Sequence, residues 1–540
     1  MIRKRLVFTG ILLAIAIIFF KPTRNSQPGY LSPFGNLDRT KLDFSADIDK
    51  QSAIRAAFKH AWDAYRRDAW GFDDYHPLKR GGTNLVSSGG IGYTIVDALD
   101  TLHIMGLDTE FTQARDWVAT ELTFDRDGKF NAFEVTIRVL GGLLSAYHLS
   151  KDEIFLQKAV DLAERLLPIF STQSGIPLSF INLKERQALA DSDNQGFSST
   201  AEAATLQLEF KYLSYLTEDY VYWNAAEKVM DVIRNGALTS GLVPIFIRPS
   251  DGQFITSDIR FGSRGDSYYE YLLKQYLQTN QAEQQYREMY DHAMTTMHHD
   301  LVRRTPKSNM LFIAELSPKF KREEQKFDWK LVPKQDHLVC FLGGSLLLGV
   351  TEGQGPFPPE WDTLSNTEKR DWITGEELIK TCVETYNTAT GLGPEIAHFK
   401  MPGDPDADSV DWYIKGLDRE NPSLTSFDAR YILRPETVES LFLAWRLTGN
   451  QTYRDQGWKI FQAIEKYTKV EGGGYTSILN VNDTNTQRED KMETFFLSET
   501  LKYLYLLFSD SALLSLDKYV FNTEAHPLPR FDPPTRRFNH

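Results

Sequence analysis

Four segments of the sequence place carboxylates inside apolar, helix-like stretches: residues 131–138 (NAFEVTIR), 262–271 (GSRGDSYYEY), 434–439 (RPETVE) and 492–499 (METFFLSE). Taken singly, each has a structural explanation, such as a helix salt bridge between Glu134 and Arg138 or an N-cap at Asp266. Together they are costly to explain as structure, because unpaired buried carboxylates are strongly disfavoured. Paired carboxylates suit glycoside hydrolysis, in which one protonates the leaving oxygen while the other deprotonates water or attacks.

More acids than one catalytic pair requires indicate a bound hard cation, which would offset their mutual repulsion. Calcium accepts oxygen ligands, including hydroxyls, carbonyls and waters held by carboxylates. Signatures of other site chemistries are missing: the sequence has no Gly-x-Ser-x-Gly elbow, no phosphate-binding Gly-rich loop, no His-Glu-x-x-His and no Cys-x-x-Cys. The residue types therefore favour a glycosidase site with calcium.

The acidic residues in apolar surroundings recur at a similar spacing. The intervals are 68, 64, 129, 41 and 63 residues, and His337 divides the longest into 71 and 58, along the series Glu134, Glu202, Asp266, Glu395, Glu436 and Glu499. A closed ring of helical hairpins, each directing one polar residue at a shared axis, would produce this spacing. Chance is the alternative explanation.

The composition is that of a folded, soluble body, since 41% of the 540 residues are hydrophobic and 25% are charged. The 60 Lys+Arg and 73 Asp+Glu residues give a formal net charge of −13. No basic run is longer than Arg3-Lys4-Arg5. We exclude nucleic acid as a partner, because binding of phosphates requires clustered positive charge.

From about residue 49 to 520 the hydrophobic period is helical, beginning with an apolar face over residues 53–65. Two strand-like segments, 242–247 and 475–481, interrupt it, and no long linker does. The sequence therefore predicts one large all-α domain with minor β-hairpins. Further helices are predicted at 201–216, 222–235, 266–279, 283–300, 376–387, 436–447, 453–467 and 495–508.

The N-terminus has the pattern of a membrane anchor. A short basic tail (1–5) precedes an apolar run (6–20) that ends in Ile17-Ile18-Phe19-Phe20 without a small-x-small cleavage site. We favour an uncleaved signal-anchor over a cleaved signal peptide. Residues 21–48 then form a stem, 49–529 the body and 530–540 a C-terminal tail.

Cys340 and Cys382, the only cysteines, could form one disulfide or remain two buried free thiols. Asn450-Gln-Thr and Asn482-Asp-Thr are glycosylation sequons in loop-like stretches. Together with the apolar N-terminus, the sequons favour a protein of the secretory pathway.

Several longer motifs resemble the class I α-1,2-mannosidases, and the resemblance covers about residues 50–528. The motifs are FEVTIRVLGGLLSAY (133–147), RGDSYYEYLLK (264–274), RPETVES (434–440) and FNTEAHP (521–527), with YTIVDALDT (93–101) and GLGPE (391–395) in addition. The resemblance implies an (α/α)7 barrel that removes terminal α-1,2-linked mannose from N-glycans with inversion, using calcium. It also implies a disulfide between Cys340 and Cys382.

Carried over to this sequence, the family's motifs imply individual roles. Glu134 would be the general acid, acting through a water molecule, and Glu436 the general base. Asp266 and Glu395 would be further catalytic carboxylates, and Thr523 would hold calcium through its hydroxyl and carbonyl oxygens. Arg138 would orient the acid. The remaining carboxylates would hold calcium-bound waters and sugar hydroxyls: Glu202, Glu439, Glu499 and Glu524.

Arg264 resembles the residue at this position in the endoplasmic reticulum type, which removes one mannose from the nine-mannose glycan. A Golgi-type enzyme that trims to five mannoses is the nearer alternative, and a degradation-enhancing mannosidase-like lectin is another. We expect a monomeric type II protein of the endoplasmic reticulum membrane, with its body in the lumen and high-mannose N-glycans as its partners.

Overall fold

The structure, a computed structural model, describes residues 30–35, 38–237, 240–324, 326–416 and 426–534. The predicted cytoplasmic tail and membrane anchor lie outside the described residues. No helix in the described ranges is long and apolar enough to cross a membrane.

Over the described residues, fourteen helical segments, two per hairpin, make up the body. Five of them are built from consecutive shorter helices, and two of these, at 135–140 and 496–500, contain a π-helical turn. The segments are α1 (Ile48–Asp68), α2 (Tyr93–Asp97 and Leu99–Ile104), α3 (Asp108–Thr120), α4 (Ala132–Glu134, Val135–Leu140 and Gly141–Ser150), α5 (Glu153–Leu166), α6 (Thr200–Ala203 and Gln207–Thr217), α7 (Tyr220–Gly236), α8 (Asp266–Gln278), α9 (Gln284–Asp300), α10 (a 3₁₀ turn, His337–Cys340, and Phe341–Thr351), α11 (Asn366–Glu384), α12 (Glu436–Thr448), α13 (Gln451–Tyr467) and α14 (Phe496–Thr500 and Leu501–Leu507).

The even-numbered helices form a closed inner ring. Each contacts the next even-numbered helix, and α14 returns to contact α2. Each odd-numbered helix from α3 onward packs on the outside of the inner helix that precedes it, and α1 packs against α13 and α14. This is the (α/α)7 barrel that the resemblance implied.

The burial of the helices follows from their place in the barrel. The outer helix α1 is amphipathic and buries one face, including Ile54, Phe58 and Trp62, as its sequence pattern predicts. The inner helices are enclosed on all sides, so that every residue of α12 is buried. Polar side chains on inner helices therefore require partners inside the barrel.

In the part of the chain that the structure describes, short antiparallel strands join the helices and form eight small sheets of two or three strands. Most lie between an outer helix and the next inner helix, at the end where the inner helices begin. The strands are β1 (Asp74–His76), β2 (Gly81–Thr83), β3 (Phe130–Asn131), β4 (Phe180–Asn182), β5 (Gln187–Leu189), β6 (Ser198–Ser199), β7 (Phe246–Ile247), β8 (Phe254–Ile255), β9 (Val302–Arg304), β10 (Leu311–Ile313), β11 (Glu315–Lys321), β12 (Lys326–Val332), β13 (Lys334–Asp336), β14 (Ile396–Phe399), β15 (Trp412–Tyr413), β16 (Ser477–Ile478), β17 (Arg488–Glu489), β18 (Tyr519–Phe521) and β19 (Pro527–Pro529).

Three boundaries differ from the sequence prediction, and one of them is the strand predicted at 475–481, of which only β16 is regular. The helix predicted at 376–387 begins ten residues earlier, because Ser365 and Glu368 form a reciprocal capping box at its start. Of the strand predicted at 242–247, only β7 is regular, since Val243 donates its backbone N–H to the Tyr269 hydroxyl instead of to a neighbouring strand.

The disulfide is confirmed, because Cys340 and Cys382 are joined and link α10 to α11. Both sequon asparagines are exposed. Asn450 caps the N-terminus of α13 by accepting a hydrogen bond from the Thr452 backbone N–H at 3.0 Å.

Candidate active site

A cavity of about 330 Å³ opens where the inner helices begin. All the predicted catalytic, substrate-binding and metal-binding residues except Glu395 line it. A larger cavity, of about 640 Å³, lies at the other end of the barrel beside Arg446 and Asp517 and contains none of them. The residues that line the smaller cavity include Glu134, Arg138, Glu202, Arg264, Asp266, Glu270, Arg434, Glu436, Glu439, Glu499, Thr523 and Glu524.

The regular spacing of acidic residues is explained by helix starts. Asp266, His337 and Glu436 are the first residues of α8, α10 and α12, and the others of the series except Glu395 lie in the first segments of α4, α6 and α14. A helix N-terminus stabilises negative charge through its free N–H groups and its dipole. The ring therefore directs these carboxylates at one axial cavity, as the spacing predicts.

Arg138 joins two carboxylates across the cavity. Its Nε donates to Glu134 Oε2 at 2.8 Å, and its Nη1 donates to Glu524. The Tyr93 hydroxyl donates to the same Glu134 oxygen at 3.3 Å. The backbone N–H of Glu134 is capped by the Asn131 side chain at 2.9 Å. Glu134 is thus held in one orientation while its side chain remains 37% exposed.

Glu436 has two cationic or hydrogen-bonding partners. His337 Nδ1 lies 2.6 Å from Glu436 Oε2, and Arg434 Nη1 lies 3.7 Å from Glu436 Oε1. Burial alone would raise the pKa of Glu436, but the hydrogen bond from His337 and the Arg434 charge more than offset it, so that the net pKa is lowered. Glu436 is therefore a buried carboxylate that stays ionised.

The environment of Asp266 shifts its pKa in the direction opposite to that of Glu436. Asp266 is buried, and its carboxylate accepts a hydrogen bond from the Ser267 backbone N–H at 2.8 Å. Burial, together with repulsion from Glu270 and Glu436, raises the pKa of Asp266 to about 7. Two neighbouring carboxylates whose pKa values are pushed apart are the arrangement that general acid–base chemistry requires.

Arg264 lies on the rim of the cavity in the left-handed backbone region, with φ +69°. Its guanidinium lies 5.2 Å from the centre of the Phe246 ring. Burial and repulsion from Glu134 raise the pKa of Glu202 to about 7, while the Arg264 charge opposes that rise. Strained non-glycine residues concentrate at functional sites, and Arg264 is placed where it can meet a bound sugar.

Glu395 does not line the cavity. Its two carboxylate oxygens accept hydrogen bonds from Arg434 at 2.6 and 3.1 Å. Because Arg434 also lies beside Glu436, Glu395 is placed to fix this arginine. A catalytic role for Glu395 stays a prediction.

Thr523 stands on the turn between β18 and β19, a hairpin that contacts α4 and α8 inside the barrel. Its hydroxyl donates to Glu270 Oε2 at 2.8 Å. The neighbouring Asn522 donates to Glu209 Oε1 at 2.7 Å and accepts the backbone N–H groups of Glu524 and His526. The turn is therefore rigid and carries Thr523 to the cavity.

A buried ionic network supports this turn from below. His526 contacts Asp100 through Nδ1 at 2.7 Å and Asp97 through Nε2 at 3.1 Å. Lys502 Nζ lies 2.9 Å from Asp100 and donates to the Ala525 carbonyl. All of these charged groups are fully buried and paired, as their stability requires.

Four carboxylates line the cavity together with Thr523: Glu270, Glu439, Glu499 and Glu524. Burial raises the pKa of Glu439 to about 8. Burial and repulsion from neighbouring carboxylates also raise the pKa values of Glu499 and Glu524 well above the usual range. Lys274 and Arg138 are the cations that contact members of this group among the described residues.

This donor set fits a hard cation, because it consists of oxygen atoms and carries surplus negative charge. Within the described ranges, no three Asp, Glu, His or Cys side chains converge closely enough to coordinate a metal directly. A calcium ion here would be held by Thr523, with the carboxylates binding its water molecules.

Sequence reasoning did not identify several residues of the site. Glu270 has a signal in the sequence, since it follows Asp266 by four residues and precedes Lys274 by four, within an apolar run. Arg434 stands two positions before Glu436, in a motif whose acidic residues give the clearer signal. The network of Asp97, Asp100, Lys502 and His526 has no local signal, because its members are brought together only by the fold.

Comparison with known proteins gives the family of this chain. Residues 57–530 match the profile of glycosyl hydrolase family 47. The mannosyl-oligosaccharide 1,2-alpha-mannosidase of Candida albicans is 46% identical, over 89% of this chain and 84% of its own length. The endoplasmic reticulum mannosyl-oligosaccharide 1,2-alpha-mannosidase of Schizosaccharomyces pombe is 40% identical, over 98% and 96% of the two chains.

Among solved structures, the alpha-1,2-mannosidase of Trichoderma reesei superposes with a TM-score of 0.78 at 28% identity, covering 90% of this chain and all of that one. The family profile, the named relatives and the solved structure thus agree on the family of this chain. The chain belongs to glycosyl hydrolase family 47.

Proposed function

We propose that this enzyme removes one terminal α-1,2-linked mannose from the nine-mannose N-glycan by calcium-dependent, inverting hydrolysis in the endoplasmic reticulum. The coarser part of this statement, an α-1,2-mannosidase acting on mannosyl-oligosaccharides, follows from the family and the named relatives. Endoplasmic reticulum localisation agrees with the relatives of that name. Anchoring of the chain as a type II membrane protein is part of the proposal.

The observation that supports the mechanism is that the pKa values of two buried carboxylates, Glu436 and Asp266, are shifted in opposite directions. Glu436 keeps its charge beside His337 and Arg434, which suits a base that removes a proton from water. Asp266 has a raised pKa and can hold a proton near neutral pH. In this proposal Glu134 delivers a proton to the leaving oxygen through a water molecule, and the hydrogen bond from Arg138 and the partial exposure of Glu134 to the cavity support that role.

In the proposed reaction, water attacks the anomeric carbon as Glu436 takes its proton. The bond to the leaving oxygen breaks, and that oxygen receives a proton delivered from Glu134. Calcium bound at Thr523 would supply positive charge that neutralises the surrounding carboxylates and orients sugar hydroxyls. Direct attack by water inverts the configuration, so that α-linked mannose is released as β-mannose.

The stereochemical course can be tested directly. Full-length enzyme is mixed with the nine-mannose glycan and calcium, and the anomeric protons of released mannose are followed by NMR from the first minute. The proposal predicts that β-mannose accumulates first and then mutarotates. Initial release of α-mannose would show retention and would overturn the role given to Glu436.

A further inference from the structure

A second groove lies beside the Asn482 sequon and shares no lining residue with the catalytic cavity. It has a volume of about 500 Å³, which lies in the range of small-molecule sites. The residues that line it include Asn387, Lys400, Asp406, Trp412, Tyr413 and Asn482.

The lining of this groove has the chemistry that a sugar requires. The C–H face of a pyranose packs on an aromatic ring, while hydroxyl and acetamido groups need hydrogen-bonding partners. Tyr413 is 39% exposed, and its ring stacks on His398 with the centroids 5.5 Å apart. Lys400 Nζ lies 4.7 Å from the centre of the Tyr413 ring. Asp406 and Asn387 add further polar groups.

Asn482 is free to carry a glycan. Within the described ranges its side chain makes no hydrogen bond, whereas its backbone N–H donates to the Asn480 side chain at 2.9 Å. The preceding Val481 is fixed on both sides, through its N–H to the Ala429 carbonyl and through its carbonyl to the Thr390 N–H. The turn therefore holds Asn482 at the edge of the groove.

We propose that the N-glycan on Asn482 folds back into this groove, with its first N-acetylglucosamine against Trp412 and Tyr413. The inference rests on the proposed function only through the lumenal location that glycosylation requires. In the transfer, Asn482 Nδ2 forms a bond to C1 of the sugar as the bond from C1 to the lipid-linked diphosphate breaks, and the amide loses one proton. Because the sugar is then covalently tethered, its effective concentration at the groove is high.

The glycan would fasten a strand that supports the catalytic site. Trp412 and Tyr413 form β15, which pairs with β14, and β14 pairs with β13. The strand β13 ends at Asp336, directly before His337, which contacts Glu436. A sugar bound at β15 therefore braces the sheet that leads to the proposed base.

The test uses the full-length chain made in a eukaryotic secretory system. Thr484→Ala removes the Asn482 sequon, and Thr452→Ala, the matched control, removes the Asn450 sequon without changing the helix cap. Mass spectrometry gives the occupancy of each site, and a protease specific for Asp and Glu probes residues 404–408, beside the groove. Thr484→Ala should speed this cleavage about fivefold, whereas Thr452→Ala should leave it unchanged.

Two further measurements locate the effect at the first sugar. Endoglycosidase H leaves one N-acetylglucosamine on each glycosylated asparagine. The trimmed protein should still be cleaved by the protease as slowly as the untrimmed protein. Tyr413→Ala should speed cleavage in the glycosylated chain but have a smaller effect in the Thr484→Ala background.

Any one of four results would overturn the proposal. The first two are that Asn482 carries no glycan, or that Thr484→Ala is cleaved at the same rate as the wild type. The other two are that trimming removes the resistance to the protease, or that Tyr413→Ala has an equal effect in both backgrounds. Mannose release is measured in parallel. Failure of that activity with the groove results intact would count against the proposed function and not against the groove.

Discussion

His337 Nδ1 lies 2.6 Å from Glu436 Oε2, and the other ring nitrogen, Nε2, lies 2.8 Å from the Tyr386 hydroxyl. The imidazole is thus fixed at both ends inside the barrel. Through this hydrogen bond it helps to keep the pKa of Glu436 low although the carboxylate is buried. The proposed base is therefore ready to accept a proton at neutral pH.

Replacement of Glu436 by glutamine tests its role as the base. The amide is similar in shape but cannot accept the proton of water, so we expect kcat to fall about 10²- to 10⁴-fold. Binding of the glycan and the thermal unfolding curve should change little. Glu360→Gln, at an exposed position outside the cavity, serves as the control. Loss of folding in Glu436→Gln would show that the residue is structural.

Replacement of His337 by asparagine tests the source of the lowered pKa. Loss of the hydrogen bond should raise the pKa of Glu436, and the base is active only when ionised. The acidic limb of the profile of kcat/KM against pH should therefore move to higher pH. His398→Asn, which breaks a pair with Asp428 outside the cavity, should leave the limb in place. If the acidic limb of the His337→Asn profile stays in place, His337 does not lower the pKa of Glu436.

Asp266→Asn should stabilise the calcium-free protein while reducing its activity. The folded-state pKa of Asp266, about 7, lies above the unfolded value of 3.8, so its contribution to stability is complete below pH 4 and is lost as the pH rises through 7. Above pH 7 the buried charge costs at most about 4 kcal/mol, which the variant avoids. Thermal unfolding in EDTA should show a gain at pH 8 and almost none at pH 4. An equal gain at both values would contradict the assignment.

Thr523→Ala tests the calcium site. A ligand present at 100 times its Kd stabilises a folded protein by about 2.7 kcal/mol, so calcium should raise the Tm of the wild type. The variant should lose most of this shift and bind calcium more weakly by titration calorimetry. Thr112→Ala, on the exposed face of α3, should respond like the wild type. Unchanged calcium affinity in Thr523→Ala would exclude Thr523 as a ligand.

Much of the barrel could be predicted from the sequence, because outer helices such as α1 carry a clear apolar face and inner helices such as α12 and α14 are largely apolar. The spacing of acids predicted a shared axis, and the structure gives the physical reason, which is that the ring aligns helix starts. The start of α11 was missed, since its capping box lies before the apolar pattern begins.

The sequence predicts which residues belong to the site better than it predicts which of them contact each other. The family motifs contain Glu134, Asp266 and Glu436, yet no local pattern states that His337 meets Glu436, which is 99 positions away. Glu395 shows the same limit, because its motif does not reveal that Arg434 occupies both its carboxylate oxygens. Contacts across the ring depend on how helices that are distant in the sequence pack together, and this packing cannot be inferred from any single segment.

Arg264→Leu tests the choice of a single mannose. The guanidinium can hydrogen-bond several sugar hydroxyls in a fixed geometry, and leucine cannot. We expect the variant to continue trimming beyond the first mannose. Arg186→Leu, at an exposed position away from the cavity, should keep the wild-type product pattern. The same product pattern in Arg264→Leu would remove this residue as the selector.

The most direct test is the size of the product over time, with full-length enzyme, the nine-mannose N-glycan and calcium. The account predicts rapid loss of one mannose followed by a long pause. Steady trimming to five mannoses would contradict the assigned specificity and indicate a Golgi-type enzyme. No release by a folded, calcium-bound protein would contradict catalysis itself and favour a lectin.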